Sequence, residues 1–102
     1  MTDFKDQVLI DLKIFFNEFA EPHTYNGKSV SVVIDNDHLK ERSKKEYDGI
    51  SVGDILFFIL SSDLENIPEP EQQVKFDNSL YKVFDVRQDN GMCEVILQRN
   101  AR

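Results

Sequence analysis

The stretch VKFDNSLYKVFDVRQDNGMCEVILQRN, residues 74–100, decides the fold of this 102-residue chain. Its apolar residues alternate with polar ones, and two short turn sequences interrupt it, Asp77-Asn78 and Asp89-Asn90-Gly91. Asn-Gly between apolar runs favours a tight hairpin, because both central residues of a type I′ turn take a positive φ. The sequence therefore predicts an antiparallel meander of three strands in this part of the chain.

The side chains of the long middle strand are expected to alternate between its two faces. Leu80, Phe84 and Val86 are predicted to share one face, and Tyr81 and Val83 the other. The Asn-Gly turn that follows sets the register of this strand with the next one.

A second hairpin is predicted further towards the N-terminus. A short strand at residues 23–25 is followed by Asn26-Gly27 and by a run in which Val30, Val32 and Ile34 alternate with mostly polar residues. This alternation is typical of a strand with one buried face.

The segment Ile55–Leu60 is apolar at every position and follows a turn at Gly53-Asp54. Such a strand must be covered on both faces. Residues 4–19 could cover one of these faces. Their apolar stripe predicts an amphipathic helix that ends before Pro22. The residues of this stripe are Phe4, Val8, Leu12, Phe15 and Phe19.

Ile10 and Ile14 form a second apolar face on that predicted helix. Two apolar faces need two partners. Either this second face lies at the edge of the chain's own core, or it docks against a neighbouring subunit. Both isoleucines are therefore candidates for a protein interface.

Two polar segments supply the other interface candidates. Residues 37–49 are so polar that they predict a long mobile loop, and loops of this length in small domains are usually functional. Its basic residues could dock on an acidic protein surface or a phosphate backbone, or could simply be solvated. A second predicted surface loop is stiffened by prolines. The candidates in the two loops are Lys40, Arg42, Lys44, Lys45, Glu65, Pro68 and Pro70.

Together these elements predict a mainly β (α+β) fold with a single domain over residues 1–102. Six to seven strands within residues 22–99 would form a small antiparallel barrel or sandwich, with the helix packed on it. A chain of 102 residues can bury one modest core of this kind.

Composition excludes several classes of function. The 12 basic and 19 acidic residues give a net charge of −7, which disfavours general binding to nucleic acid. Cys93 is the only cysteine, so no intrachain disulfide can form, which fits a reducing cytoplasm. The N-terminal residues do not resemble a signal peptide, and no apolar run is long enough to cross a bilayer. The chain is expected to be soluble.

The sequence predicts no catalytic, cofactor or metal site, and we expect the protein not to be an enzyme. His23 and His38 have no suitably spaced partner for a metal ion. Cys93 is expected to be a packing residue in a strand. The four glycines are scattered among turns and do not form a loop that could hold a phosphate.

The order of these elements resembles the head completion proteins of long-tailed phages and defective prophages, also called head-tail joining or stopper proteins. The resemblance spans nearly the whole chain. It includes Gly53-Asp54 ahead of an apolar strand, a polar crossover, a short strand with a two-residue turn, an aromatic-bearing strand over Tyr81–Val86, the turn at Asp89–Gly91 and a closing apolar strand. The segment Asp37–Asp48 departs from the pattern, since its length and charge vary among relatives.

The resemblance implies a small β-barrel that assembles as a ring below the portal and its adaptor. Such a ring would close the DNA exit channel and present a surface to the tail proteins, and the free subunit would be a monomer. Packaged DNA would pass an acidic channel wall without specific binding. The implied location is the host cytoplasm during assembly and then the neck of the virion, with no membrane contact and no cofactor.

Two other interpretations remain open. A small acidic protein could mimic nucleic acid and inhibit a host DNA-binding enzyme, although the interleaved Lys and Arg residues do not favour this. A single-strand binder of the OB type would use Phe57, Phe58 and Tyr81, which conflicts with the net charge and with the expected burial of these rings.

Overall fold

The computed structural model describes residues 14–47 and 53–99. These residues form six β-strands, two α-helices and a short 3₁₀ turn. Residues 14–19 are helical and are called α1. The other elements are β1 (Glu21–Tyr25), β2 (Lys28–Ile34), α2 (Asn36–Glu46), β3 (Ile55–Leu60), a 3₁₀ turn (Ser61–Asp63), β4 (Gln73–Phe76), β5 (Ser79–Asp89) and β6 (Met92–Arg99).

The strands close into an antiparallel barrel in the order β1-β2-β3-β6-β5-β4. The barrel closes where Tyr25 of β1 pairs with Phe76 of β4, and the Asn26 N–H donates to the Lys75 carbonyl at 2.8 Å. The prediction of a small, mainly β antiparallel barrel with an associated helix is confirmed. In a closed barrel, each strand pairs with a neighbour on both sides.

Three two-residue turns connect neighbouring strands, and all take positive φ values. They are Asn26-Gly27 (51° and 82°), Asp77-Asn78 (51° and 68°) and Asn90-Gly91 (50° and 87°). Asn, Asp and Gly tolerate this left-handed region best, so turn chemistry fixes where each hairpin reverses.

The barrel interior holds the main core. Inward and outward side chains alternate along the strands, apart from a bulge in β5, and Phe57, Val83 and Leu97 are fully buried at the centre of the interior. Leu64 and Ile67, from the segment between β3 and β4, pack against this core.

The outer face of β3 is covered by α2, with Leu39 of α2 packed on Leu56 of β3 and Ile96 of β6. We expected residues 4–19 to cover this face of β3. For Leu56 that expectation is wrong, because α2 covers it. The expected mobile loop at 37–49 is also wrong over 37–46, which form most of α2. Positions 48 and 49 lie outside the described residues.

Only the end of the predicted N-terminal helix lies within the described part of the chain. Residues 14–19 are helical, as expected, and the Ala20 N–H donates to the Phe16 carbonyl at 3.0 Å. Phe16 is buried. Residues 4–13, with Ile10, lie outside the described residues.

A β-bulge in β5 changes which side chains share a face. The register with β6 shifts between Val83 and Asp85, so Phe84 and Asp85 both lie on the outer face. Val86 then returns to the inner face, where it packs against the main core. The predicted grouping of Val86 with Phe84 is therefore wrong, because an extra residue reverses the alternation.

Gly53, at the start of β3, is tightly packed against β6, and Gly53→Ala is expected to destabilise the protein. A Cβ at this position would overlap the Ile96 Cγ2 atom and lie 3.2 Å from the Leu97 carbonyl oxygen. Overpacking of this kind costs about 1–3 kcal/mol, so thermal unfolding should shift down by roughly 4 °C or more. Ser29→Ala, at an exposed position in β2, is the control, and an equal midpoint for the two variants would contradict the prediction.

Candidate docking surface

The start of α2 is fixed by side chains at the end of β2. Asp35 is the N-cap, and its carboxylate accepts from the His38 N–H at 3.1 Å. Asn36 Oδ1 accepts from the Leu56 N–H at 3.2 Å, and the Asp35 N–H donates to the Leu56 carbonyl at 2.9 Å. The helix therefore begins in contact with β3 and takes its direction from it.

Arg42 attaches the middle of α2 to the barrel. Its side chain is only 3% exposed and donates to Glu94 of β6 and to Asp85 of β5, each at 2.6 Å. Its Nε also donates to Glu46 of α2 at 3.3 Å. Asp85 can reach this arginine because the bulge turns its side chain outward. The bulge therefore supplies part of the binding site for α2.

Arg87 completes the group that we call the Arg42 network: Arg42, Glu46, Asp85, Arg87 and Glu94. Arg87 contacts Glu46, and its Nε lies 3.6 Å from Asp85. Burial lowers the pKa of Arg42, but its hydrogen bonds to Asp85 and Glu46 and the charge of Glu94 outweigh burial and raise the pKa above its usual value. The hydrogen bond from Arg42 lowers the pKa of Glu46. Both shifts favour the charged forms of Arg42 and Glu46.

The outward side of α2 carries three exposed lysines, Lys40, Lys44 and Lys45, which we call the lysine ridge. Lys40 and Lys44 are four residues apart and lie on one helix face. Lys44 and Lys45 are in the last turn, where positive charge interacts favourably with the helix dipole. On a chain of net charge −7, the ridge gathers three cations on one helix, with the exposed Asp37 and Glu41 beside them.

A second exposed feature is the apolar patch, formed by Ile14, Phe15 and Phe19 of α1 with Ile34 of β2. Their exposed fractions are 54%, 39%, 59% and 41%. The rings of Phe15 and Phe19 are 5.1 Å apart, and Phe19 and Ile34 line one surface cleft. Adjoining exposed apolar side chains of this size are typical of an interaction surface.

The predicted interface residues therefore separate into distinct groups. Lys40, Lys44 and Lys45 lie together on the lysine ridge, and Ile14 lies in the apolar patch. Glu65 and Pro70 are exposed in the segment between the 3₁₀ turn and β4. Ile10 is not among the described residues.

Arg42 and Pro68 are corrections to the predicted interface, because both are buried. The Arg42 side chain binds three carboxylates of its own chain, and Pro68 is buried within its loop. The Arg42 network was missed because two of its acids are 43 and 52 residues away in sequence. The local signals that could have found α2 were the Asp35 cap and the Arg42–Glu46 spacing.

The two histidines have acidic partners but no metal-binding geometry. His23 Nδ1 lies 2.6 Å from Asp77 Oδ2, and His38 Nε2 lies 3.3 Å from Glu94 Oε1. Within residues 14–47 and 53–99, no group of three His, Cys, Asp or Glu side chains is arranged to hold a metal ion. Cys93 is fully buried, with its Sγ 3.4 Å from Ser61 Oγ.

Asp77 links β1 to the β4–β5 turn and gives a pH-dependent contribution to stability. A hydrogen bond from the Thr24 N–H at 3.0 Å, followed by His23, lowers the pKa of Asp77. A carboxylate with a depressed pKa stabilises the fold above its unfolded pKa near about 4, and this contribution is lost as pH falls.

Asp77→Asn is expected to destabilise the protein by at most about 1 kcal/mol at pH 7, because the side chain is half exposed. Asparagine also tolerates the positive φ at this position. The difference from the wild type in urea unfolding should shrink at pH 3. A difference that stays constant between the two pH values would contradict the assignment.

Comparison with known proteins identifies a similar fold. No family model matches the sequence, and no curated protein matches it. The crystal structure of the ATP-binding sugar transporter-like protein from Salmonella typhimurium is similar, with a TM-score of 0.58 and 20% identity over 95% of this chain and 92% of that chain. At this identity, the similarity shows the fold alone. In the described part of the chain, no helix has the length and apolar character needed to cross a membrane.

Proposed function

We propose that this protein is a structural component of a phage virion that joins the head to the tail. In this proposal, subunits dock as a ring below the portal and its adaptor, and the ring closes the DNA exit channel. The role is not enzymatic and requires no cofactor. The protein would act in the host cytoplasm during assembly and then remain in the neck of the particle.

The observation that carries the proposal is the presence of two docking surfaces of different character on one small barrel. The lysine ridge faces solvent on α2, and the apolar patch faces solvent on α1 and β2. Neither surface belongs to the barrel's main core. Exposed surfaces of this kind in a small domain favour a role in assembly.

The charge distribution supports a neck protein that lets DNA pass. With a net charge of −7, a ring of subunits repels the phosphate backbone over most of its surface. The lysine ridge is then suited to an acidic surface on a neighbouring protein. The resemblance of the sequence to head completion proteins supports the same role.

The experiment that tests the proposal is deletion of the gene from its prophage or phage, followed by electron microscopy of the particles. Filled heads that leak DNA and lack tails are expected, together with free tails. Adding the purified protein to such heads should restore joining. Normal tailed particles in the absence of the protein would refute the proposal.

The acidic composition also favours a second candidate, an inhibitor that mimics nucleic acid. Such a mimic needs carboxylates spread over one exposed face without intervening cations. Here Lys40, Lys44 and Lys45 are exposed on α2, so this role is less well supported. Inhibition of a host DNA-binding enzyme by the purified protein, with normal particles after gene deletion, would favour the mimic.

A further inference from the structure

The attachment of α2 to the barrel relies strongly on charge, since its apolar contacts are few: Leu39 within the helix and Tyr47 at its C-cap. Of its 11 residues, Leu39, Arg42 and Ser43 are buried, and Leu39 is the only apolar side chain among them. A helix of this length is marginal by itself in water. Its docked state therefore depends on Leu39, the contacts at its first turn and the Arg42 network.

Beneath α2 lies an apolar surface that we call the outer strip, formed by Leu56, Phe58, Phe84 and Ile96. Leu56 and Ile96 are fully buried, and both pack against Leu39 in a cluster separate from the main core. The main core consists of inward-facing side chains that do not contact α2. Removing α2 would therefore expose the outer strip but leave the barrel interior intact.

The two ends of α2 are held differently. At its start, Asp35 and Asn36 make three hydrogen bonds that tie the helix to β3 and cap its first turn. Beyond Leu39, α2 contacts the barrel through the ion pairs of Arg42 and Glu46, and its C-cap residue Tyr47 packs edge-on against Phe84 at 5.5 Å. In the first turn, His38 faces Glu94 and Glu41. This arrangement places a hinge at the start of the helix.

We propose that α2 is a detachable cover that opens as a unit about its first turn and exposes the outer strip while the barrel stays folded. The Arg42 network is the clasp that holds the cover closed. The biological purpose rests on the proposed function: the cover hides an apolar surface in the free subunit and limits premature association before docking. The opening itself is a property of the isolated subunit.

Hydrogen exchange of the full-length protein under native conditions, followed by NMR, tests the proposal. Amides in residues 40–46 of α2 should exchange through a local opening, with much lower protection than amides of β3 and β6. The free energy of this opening should fall only slightly with denaturant concentration, because the opening exposes much less surface than global unfolding does. If α2 and the barrel share one protection level and one denaturant dependence, the proposal is overturned.

Arg42→Gln provides the matched perturbation. Loss of the buried cation leaves Asp85, Glu46 and Glu94 with only Arg87 and His38 as partners, and protection in α2 should fall by about a hundredfold or to that of an open segment. Protection in the barrel should stay within a few fold of the wild type, and binding of an apolar dye should increase. Equal loss of protection in α2 and in the barrel would overturn the proposal. Should this variant fail to fold, the wild-type exchange pattern decides.

Arg87→Gln is the control, because Arg87 is 51% exposed at the rim of the same network. Its effect on protection in α2 should be only a few fold. These measurements use the isolated subunit, so their outcome is independent of whether phage particles need the protein. The cover proposal can therefore be refuted while the proposed role in the virion stands. Equally, the proposed role can be refuted while the cover proposal stands.

Discussion

Phe57→Ala is expected to remove a large share of the protein's stability. Phe57 is fully buried in the barrel interior, where its ring stacks on Phe76 at 5.0 Å and meets Tyr25 edge-on at 6.5 Å. Truncating a buried phenylalanine to alanine costs about 3–5 kcal/mol, because apolar contacts are lost and a cavity remains. Domains of this size have a total stability of about 5–15 kcal/mol.

Urea unfolding followed by circular dichroism measures this loss. Leu80→Ala is the matched control, because Leu80 is also a large apolar residue in the barrel but is 56% exposed. Its effect should stay within about 0.5 kcal/mol. Similar unfolding midpoints for the two variants would mean that Phe57 is not at the centre of the core.

If the protein joins heads to tails as proposed, reversing the charge of the lysine ridge is expected to abolish joining without unfolding the subunit. In the variant Lys40→Glu/Lys44→Glu/Lys45→Glu, three exposed cations become anions, and an acidic docking surface would then repel them. Like charges placed opposite each other at an interface cost several kcal/mol, so binding to heads should fall by about a hundredfold or more. Co-sedimentation with heads that lack the protein measures the loss.

Two controls separate docking from folding in this experiment. The neutral variant Lys40→Gln/Lys44→Gln/Lys45→Gln does not oppose the helix dipole, and it should show an intermediate loss of binding. Lys75→Glu changes an exposed lysine of β4, outside the ridge, and should bind heads normally. Full joining activity in the charge-reversed variant would exclude the ridge as a docking surface.

The hairpins could be predicted because their causes are local. The positive φ values of Asn26-Gly27 and Asn90-Gly91 follow from residues that tolerate them, and the flanking alternation defines the inner faces. The uniformly apolar segment Ile55–Leu60 likewise predicted a central strand with both faces covered. It is indeed β3, with β2 and β6 as its neighbours.

The candidate docking surface was only partly predictable. The basic character of Lys40, Lys44 and Lys45 is visible in sequence, but the rigid helix that presents them is not. Polar composition suggested a mobile loop, since one buried leucine is a weak helical signal. Arg42 looked equivalent to the lysines around it, yet its side chain points towards the barrel and theirs point towards solvent.

The sequence by itself determined the reversals of the chain and the inward side chains of most strands, because each depends on a few neighbouring residues. It left a barrel and a sandwich open, and the pairing of Tyr25 with Phe76 decides for the barrel. Only the tertiary structure decided what covers the outer face of β3 and which cation is buried. The bulge at Phe84 and Asp85 turns one carboxylate outward, and Glu94 of β6 supplies another. The Arg42 side chain can be buried only after folding has brought these distant acids together, since a buried charge is stable only beside its partners.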